Sequence, residues 1–304
     1  MRKSQELIRF PQSVQLFKFC LRVLEARKPN DRIHDQDLGS LLEYNPSDTS
    51  HWKRGKKSIR NLQTLETLSQ SLEVDFEILQ DLVEATSDLD EAWSDFLDAE
   101  EERRLHALPV EAKLERQRRR QLVENMANHL LSAGSIQSLP VHISEITPLF
   151  PFIQFIATEV PDRLARSSRI KPGFYAIRYR KGEVRPHVRL AIVREIARIV
   201  LLSEREQFKM EPLNENLLFA EMMEFVSALL VPRNSFLAEL DKISPQLDVV
   251  RVLSRYFWVP RSLVRTRLSS LLMEKATSAV FEPEAMVLRP EYFQQDGSEL
   301  TSRI

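Results

Sequence analysis

Six glycines in 304 residues constrain this chain more than any other feature. With so few, and with the helix formers Leu, Arg and Glu abundant, helix must dominate its secondary structure. An apolar content of 43% is enough to bury a real core, and the length favours two domains over one. The single cysteine, Cys20, rules out an intramolecular disulfide framework and a thiolate zinc cluster. It lies in an apolar helical run and reads as core. No apolar run reaches the length of about 18 residues needed to span a bilayer, and the first residues hold no apolar segment with a small-residue cleavage site. These readings predict a cytoplasmic protein without membrane contact. The formal net charge of −1 decides nothing about nucleic acid, because it averages segments of opposite sign.

Residues 12–27 place Val14, Phe17, Leu21 and Leu24 at three- and four-residue spacing, which predicts a helix with one buried stripe. Pro29 and Asn30 break it. A short helix over 35–42, a turn at Tyr44-Asn45-Pro46-Ser47, a third helix from near Ser47 to before Gly55, and helices over 61–72 and 75–85 complete a five-helix unit spanning 1–85. Two short helices joined by a tight turn, inside a unit of this size, are what helix-turn-helix DNA binding needs. Lys53, Arg54, Lys56, Lys57 and Arg60 put five positive charges in eight residues with no acid among them. Such a cluster suits phosphate contacts, which supply affinity and register but no sequence information. A solvated basic face is the plainer reading of the same charges.

The stretch LGSLLEYNPSDTSHWKRGKKSIRNLQTLETLSQSLEV resembles the XRE (Cro-type) repressor family. Leu38 and Gly39 fall on its first motif helix, Trp52 is the inward anchor, Gly55 ends the recognition helix, and Leu65, Leu68 and Val74 belong to the supporting helix. The resemblance implies base-edge contacts at Pro46, Ser47 and His51. Pro46 has no N–H to donate, so readout would rest on Ser47 and His51, with Asp48 and Ser50 beside them. It also implies double-stranded DNA as partner and a homodimer. Two features depart from the family: Lys53 stands where it usually has Glu, and the loop after Gly55 lacks its common proline.

Between Asp75 and Glu102 there are twelve acidic residues and no Lys or Arg; between Arg103 and Arg120 there are seven basic residues against two acidic. Ala92, Trp93, Phe96 and Leu97 have helical spacing, so part of the acidic run is expected to be a packed helix and part a solvated linker. Local salt bridging accounts for the charge. The alternative is that the run docks on a basic surface, its own or that of a second copy, in competition with DNA phosphates. Thr86-Ser87 and Pro109 interrupt the pattern and place an acidic helical linker over 86–111. Residues 113–132 read as a longer amphipathic helix with Leu122, Met126, Leu130 and Leu131 inward.

Arg189 to Leu202 (RLAIVREIARIVLL) is an apolar helix carrying a charged triplet, Arg194, Glu195 and Arg198. These stand at the spacing of H-E-x-x-H, in which two histidines on one helix face bind zinc and the glutamate acts as general base. A guanidinium is always charged and offers no lone pair, so the two arginines exclude zinc. Upstream, 136–146 reads as a helix end, a turn at Pro140 and a short extended segment. Arg163 to Lys171 reads as a mobile surface loop, and FYAIRYR, 174–180, as a strand by its alternation, followed by a turn at Lys181-Gly182-Glu183. Downstream come a helix over 217–232, another near Leu247 to Tyr256, and the segment 257–272. Residues 159–194 hold ten basic residues against three acidic, an excess that favours an anion, the acidic linker or DNA.

The order of these segments resembles the ImmA/IrrE metallopeptidase-like family. Leu139-Pro140 matches its LP turn, 174–180 its strand, Arg189 to Arg198 its RFxxAHExxH helix, Phe225 to Pro232 its FAxxLLMP helix end, and Phe257 to Leu268 its closing segment. The resemblance covers roughly residues 120–272, and the family's usual companion is an N-terminal XRE domain. It implies an α+β zincin-like domain with a small sheet over 112–275, followed by an irregular tail over 276–304. It puts Glu195 in the place of the general base and the third ligand's acid at Glu221 or Glu224. With Arg194 and Arg198 in the ligand positions, the domain is expected to be a pseudopeptidase, with no metal, no cofactor and no enzymatic activity. His187, two turns before Arg194, cannot replace a ligand. In the remodelled site Arg194 or Arg198 would pair with Glu221 or Glu224, or the two arginines would bind an anionic small molecule or protein ligand. The expectation is a mainly α DNA-binding transcriptional regulator whose second domain serves as sensor or oligomerisation module. Its rivals are an interaction module that controls a partner regulator without binding DNA, and a metallopeptidase with unrecognised ligands.

Overall fold

The computed structural model describes residues 8–160, 163–203, 215–244 and 246–281. The protein is mainly helical, with one small mixed sheet. The first helix, α1 (Pro11–Arg27), carries proline in its first turn, where a missing N–H costs nothing. Its buried arc is wider than the single stripe expected. Leu16, Phe17, Phe19, Cys20, Val23 and Leu24 are buried, whereas Val14 and Leu21 are only half-buried. The reason is that α1 is packed from several sides, by α2 (Asp35–Ser40), α3 (Pro46–Lys53), α4 (Leu62–Leu72), α5 (Phe76–Val83) and α6 (Leu89–His106). At its centre the Trp52 indole donates to the Ser13 carbonyl at 2.8 Å and meets the Phe17 ring edge-on.

Local chemistry sets the turn between α2 and α3. A Cβ at Gly39 would lie 2.0 Å from Thr49 Oγ1, so only glycine lets the two helices approach this closely. Asn45 caps α3 by accepting from the Asp48 N–H, and Asn61 caps α4 by accepting from the Gln63 N–H. Gly55 closes α3 at φ +66°, a conformation open to glycine but strained for other residues.

Helix α6 runs unbroken through the segment expected to be partly solvated linker. Asp88 accepts from the N–H groups of Asp90 and Glu91, and Glu91 reaches back to the Asp88 N–H. Ala92 and Phe96 enter the first core, Leu97 faces solvent, and the acids Glu91 and Asp95 are buried. Partners arriving from the rest of the chain make that burial tolerable. In α7 (Val110–Ala133) the inward residues are Val123, Met126, Ala127 and Leu131; Leu122, expected inward, lies just off the buried arc and is exposed.

The second core gathers around α9 (Pro186–Ser203), almost all of whose apolar residues are buried. It packs on two strands of a sheet ordered β1-β3-β2, formed by β1 (Ile153–Thr158), β2 (Ala165–Lys171) and β3 (Phe174–Arg180). β1 is parallel to β3 and β2 antiparallel to it. β2 replaces the expected mobile loop. Its side chains are mostly polar, as an edge strand tolerates, with Arg166, Arg169 and Lys171 exposed. Ahead of the sheet, Ile143–Ile146 form a helical turn, α8, where an extended segment was expected; Glu145 caps it by accepting from the His142 N–H.

Helix α10 (Glu215–Leu230) packs on both α7 and α9, and α11 (Arg233–Leu240), α12 (Val249–Phe257) and α13 (Arg261–Phe281) complete the second core. Each fully buried Val, Leu, Ile or Phe here stabilises the fold by about 1.5–3 kcal/mol. α13 continues through Ala276 to Phe281, so the first residues of the expected irregular tail are helical; the rest of that tail lies outside the described residues. Among the described residues no helix is long and apolar enough to cross a membrane.

Candidate nucleic-acid interface and the charged face of α9

In α3 the outer face carries Ser47, His51 and Arg54, all exposed, with Ser50 half-buried between them, while Thr49 and Trp52 turn inward. Positions 47, 50, 51 and 54 follow helical spacing, so they form one continuous stripe. Lys56 and Arg60, just beyond the helix, are also exposed. Three of the expected contact residues are partly committed within the chain. Lys53 Nζ donates to Asp35 at 2.5 Å, and Lys57 Nζ donates to Asp48 at 3.1 Å while sitting 3.6 Å from the Tyr44 ring centroid. These pairs are solvent-accessible and weak enough for a phosphate to compete with them.

The charged residues of α9 and α10 do not converge on one site. Arg194 donates to Asp98 and, at 3.1 Å, to Ser94 Oγ, both on α6. Glu195 accepts from the N–H of Ser167 at 3.0 Å and from its hydroxyl at 2.5 Å, which fixes α9 to the edge of β2. Arg198 is exposed, with Nε 3.8 Å from Glu195. The expected pairing of Arg194 or Arg198 with Glu221 or Glu224 is absent. Glu221 accepts from Arg119, and Glu224 lies 3.2 Å from Arg120 Nε, both arginines belonging to α7. Burial raises the pKa of Glu224 against the pull of Arg120 and Arg116. The physical reason for the miss is that α7 brings its own guanidiniums to the α10 carboxylates, leaving α9 to pair elsewhere.

Where α9 pairs instead is a stripe of acids that reads in the sequence as linker charge. Asp88, Glu91, Asp95 and Asp98 recur every three or four residues and so share one face of α6. Asp88 accepts from Arg180 at 2.8 Å, and Glu91 lies 3.2 Å from Arg185 Nη1. His187 Nε2 is 2.9 Å from Asp95 Oδ2, whose second oxygen accepts from Ser262 at 3.1 Å. Asp98 holds Arg194. The period of the acids is the sequence signal that marks this face.

The electrostatics follow from the geometry. Burial works to raise the Asp88 pKa, but hydrogen bonds from Arg180 and from the Glu91 N–H hold it below the usual carboxylate value. Asp98 goes the other way, raised by burial despite Arg194. For His187, burial opposes the imidazolium, yet Asp95, with Glu91 and Asp81 behind it, keeps the pKa above the ordinary histidine value.

Two further features lie near this seam. A cavity of about 610 Å³ opens beside it, with Ile78 of α5, Phe219 and Met223 of α10 and Leu263 of α13 in its walls, and Asp98 and Arg261 among its charged residues. The fully buried Arg189 donates to the carbonyls of Phe257 at 2.8 Å, Trp258 at 2.5 Å and Val141 at 2.5 Å. Burial pulls its pKa down to about 10. It ties the start of α9 to the segments that flank α8 and end α12. Among the described residues no group of three or more His, Cys, Asp and Glu side chains is placed to hold a metal ion. No family model, curated protein or solved structure matches the chain.

Proposed function

We propose that this chain is a DNA-binding transcriptional regulator. In this reading α1 to α5 form a helix-turn-helix unit of the XRE type. The sheet-bearing part is a catalytically inactive, metal-free ImmA/IrrE-like domain that acts as sensor or oligomerisation module. The observation that carries the reading is the outward stripe of α3, Ser47, Ser50, His51 and Arg54, bordered by Lys53, Lys56, Lys57 and Arg60. α3 is the recognition helix: Ser47, Ser50 and His51 meet base edges in the major groove and the basic residues hold phosphates. A homodimer binds half-sites about one helical turn apart.

The second domain is read as inactive because Arg194 and Arg198 stand in the ligand positions and Glu195 is bonded to Ser167. The acids Glu221 and Glu224 are held by arginines of α7. The cavity beside the seam has a volume within the range of small-molecule sites, and residues of α5 and α6 meet those of α10 and α13 in its walls. An occupant there would bear on both halves of the chain, which suits a sensor.

Fluorescence anisotropy on fragments enriched by genome-wide mapping tests the DNA reading. The variant Lys53→Gln/Arg54→Gln/Lys57→Gln is expected to bind every fragment more weakly, with a salt slope shallower by about 0.9 for each phosphate that is no longer neutralised. Unchanged binding removes the DNA face from α3. If the wild-type chain enriches no fragment and instead captures one protein partner, control of that partner becomes the better reading.

A further inference from the structure

The hairpin formed by β2 and β3 carries a set of basic residues that neither α3 nor the α6 seam uses. From Arg163 to Lys181 the chain has seven Arg or Lys residues and no Asp or Glu. The fold divides them into two groups. Arg180, with Arg185 just after the strand, is taken by Asp88 and Glu91 of α6. Arg163, Arg166, Arg169, Lys171, Arg178 and Lys181 are exposed, and among the described residues no acid pairs with them. Arg178 makes one bond within the hairpin, to Ser168 Oγ at 3.2 Å.

The strand register gives this division an energetic meaning. Arg166 stands directly opposite Arg178 across the antiparallel pair. Alternate residues of a strand share a face, so Arg180 continues the same face as Arg178. Like charges placed directly opposite each other destabilise a sheet. No acid of the described chain relieves that repulsion at Arg166 and Arg178, whereas Arg180, which stands opposite the apolar Leu164, is held by the carboxylates of α6. One face of the hairpin therefore binds anions at its inner end and presents the same chemistry, unfilled, at its outer end.

We propose that Arg166 and Arg178, with Lys171 toward the tip, form a second phosphate-binding element that grips the backbone of the DNA held by α3. The inference rests on the DNA-binding reading above. An added peptide strand fits this edge less well, because the Ser167 N–H donates to Glu195 and is closed to a new strand. Phosphates need no free backbone edge, since the long guanidinium side chains reach them directly.

The test uses the full-length protein and the variant Arg166→Gln/Arg178→Gln. Both side chains are exposed, so the fold persists, and circular dichroism verifies this. With a fragment that the wild-type chain enriches, the variant is expected to bind several-fold more weakly and to show a salt slope shallower by up to about 1.8, two phosphates at about 0.9 each. Its base preference stays unchanged, because phosphate contacts carry no sequence information. Equal affinity and equal slope, in an assay where the α3 triple variant does bind more weakly, overturn the hairpin element and leave the α3 reading standing. No binding by the wild-type chain to any fragment sinks both. Loss of binding to phosphatidylserine-containing vesicles by the hairpin variant, with DNA binding intact, assigns the patch to a membrane and likewise overturns the proposal.

Discussion

His187 and Asp95 are the residues through which pH should act on this fold. His187 is buried, 2.9 Å from Asp95, and its pKa is raised because Asp95, Glu91 and Asp81 together outweigh the cost of burying the imidazolium. A folded-state pKa above the unfolded value of 6.5 means that the protonated form favours the folded state. That stabilisation is complete below pH 6.5 and is lost as pH rises through the raised value. The thermal midpoint should therefore fall as pH is increased from about 6.5, and His187→Gln should flatten that dependence. Melting curves taken across this range decide the matter: the same slope in wild type and variant means His187 is not the group responsible. The residue scale also shows which features a sequence displays. Trp52 and Gly55 are readable because an anchor and a helix stop each leave a residue type at a fixed offset, whereas the cap at Asn45 and the close approach at Gly39 emerge only from the fold. The role of His187 is not readable either, because its partner is 92 residues away in the chain.

At the scale of elements, legibility depends on whether an element's own pattern or its neighbours set its environment. The helices α3 and α4 and the strand β3 fall within a residue or two of their expected limits, since their caps, stops and alternation are local. β2 reads as a loop in the sequence because its side chains are mostly polar, and only pairing with β3 reveals it as a strand. The facing of α10 is likewise hidden, since Glu221 and Glu224 are oriented by Arg119 and Arg120 of α7. That facing makes a prediction about metal chemistry. Writing H-E-x-x-H into α9 with Arg194→His/Arg198→His supplies two imidazoles on one helix face, but Glu195 remains bonded to Ser167 and the α10 acids remain turned toward α7. Zinc needs three or four protein ligands converging at about 2.0–2.3 Å. The double variant is expected to purify without stoichiometric zinc by elemental analysis. A full equivalent would mean that one of the α10 acids swings to α9.

For the molecule as a whole, the deciding feature is that its two cores meet through charge. The apolar cluster of α1 to α6 and the one around α9 are separate, and α6 reaches across with Asp88, Glu91, Asp95 and Asp98 onto Arg180, Arg185, His187 and Arg194. An apolar seam would make the halves inseparable; a seam of buried and half-buried ion pairs makes their coupling depend on each pair staying complete. Removing one partner of a buried pair leaves the other charge without compensation, which costs about 3–5 kcal/mol. The Asp98–Arg194 pair is nearly enclosed, with side-chain exposures of 14% and 15%, so Asp98→Asn should cost close to 3 kcal/mol. Asp88 is less enclosed and solvent screens its pairs, so Asp88→Asn adds a smaller increment. Because both losses fall on the seam and neither enters a core, the double variant should split one cooperative calorimetric transition into two. The core around α9 should keep its own midpoint, and the transition of the α1 to α6 unit should shift separately. A single transition lowered as a whole would show instead that the other links between the halves, Arg261 of α13 with Asp81 at 3.0 Å and Arg265 with Glu77, suffice to couple the cores.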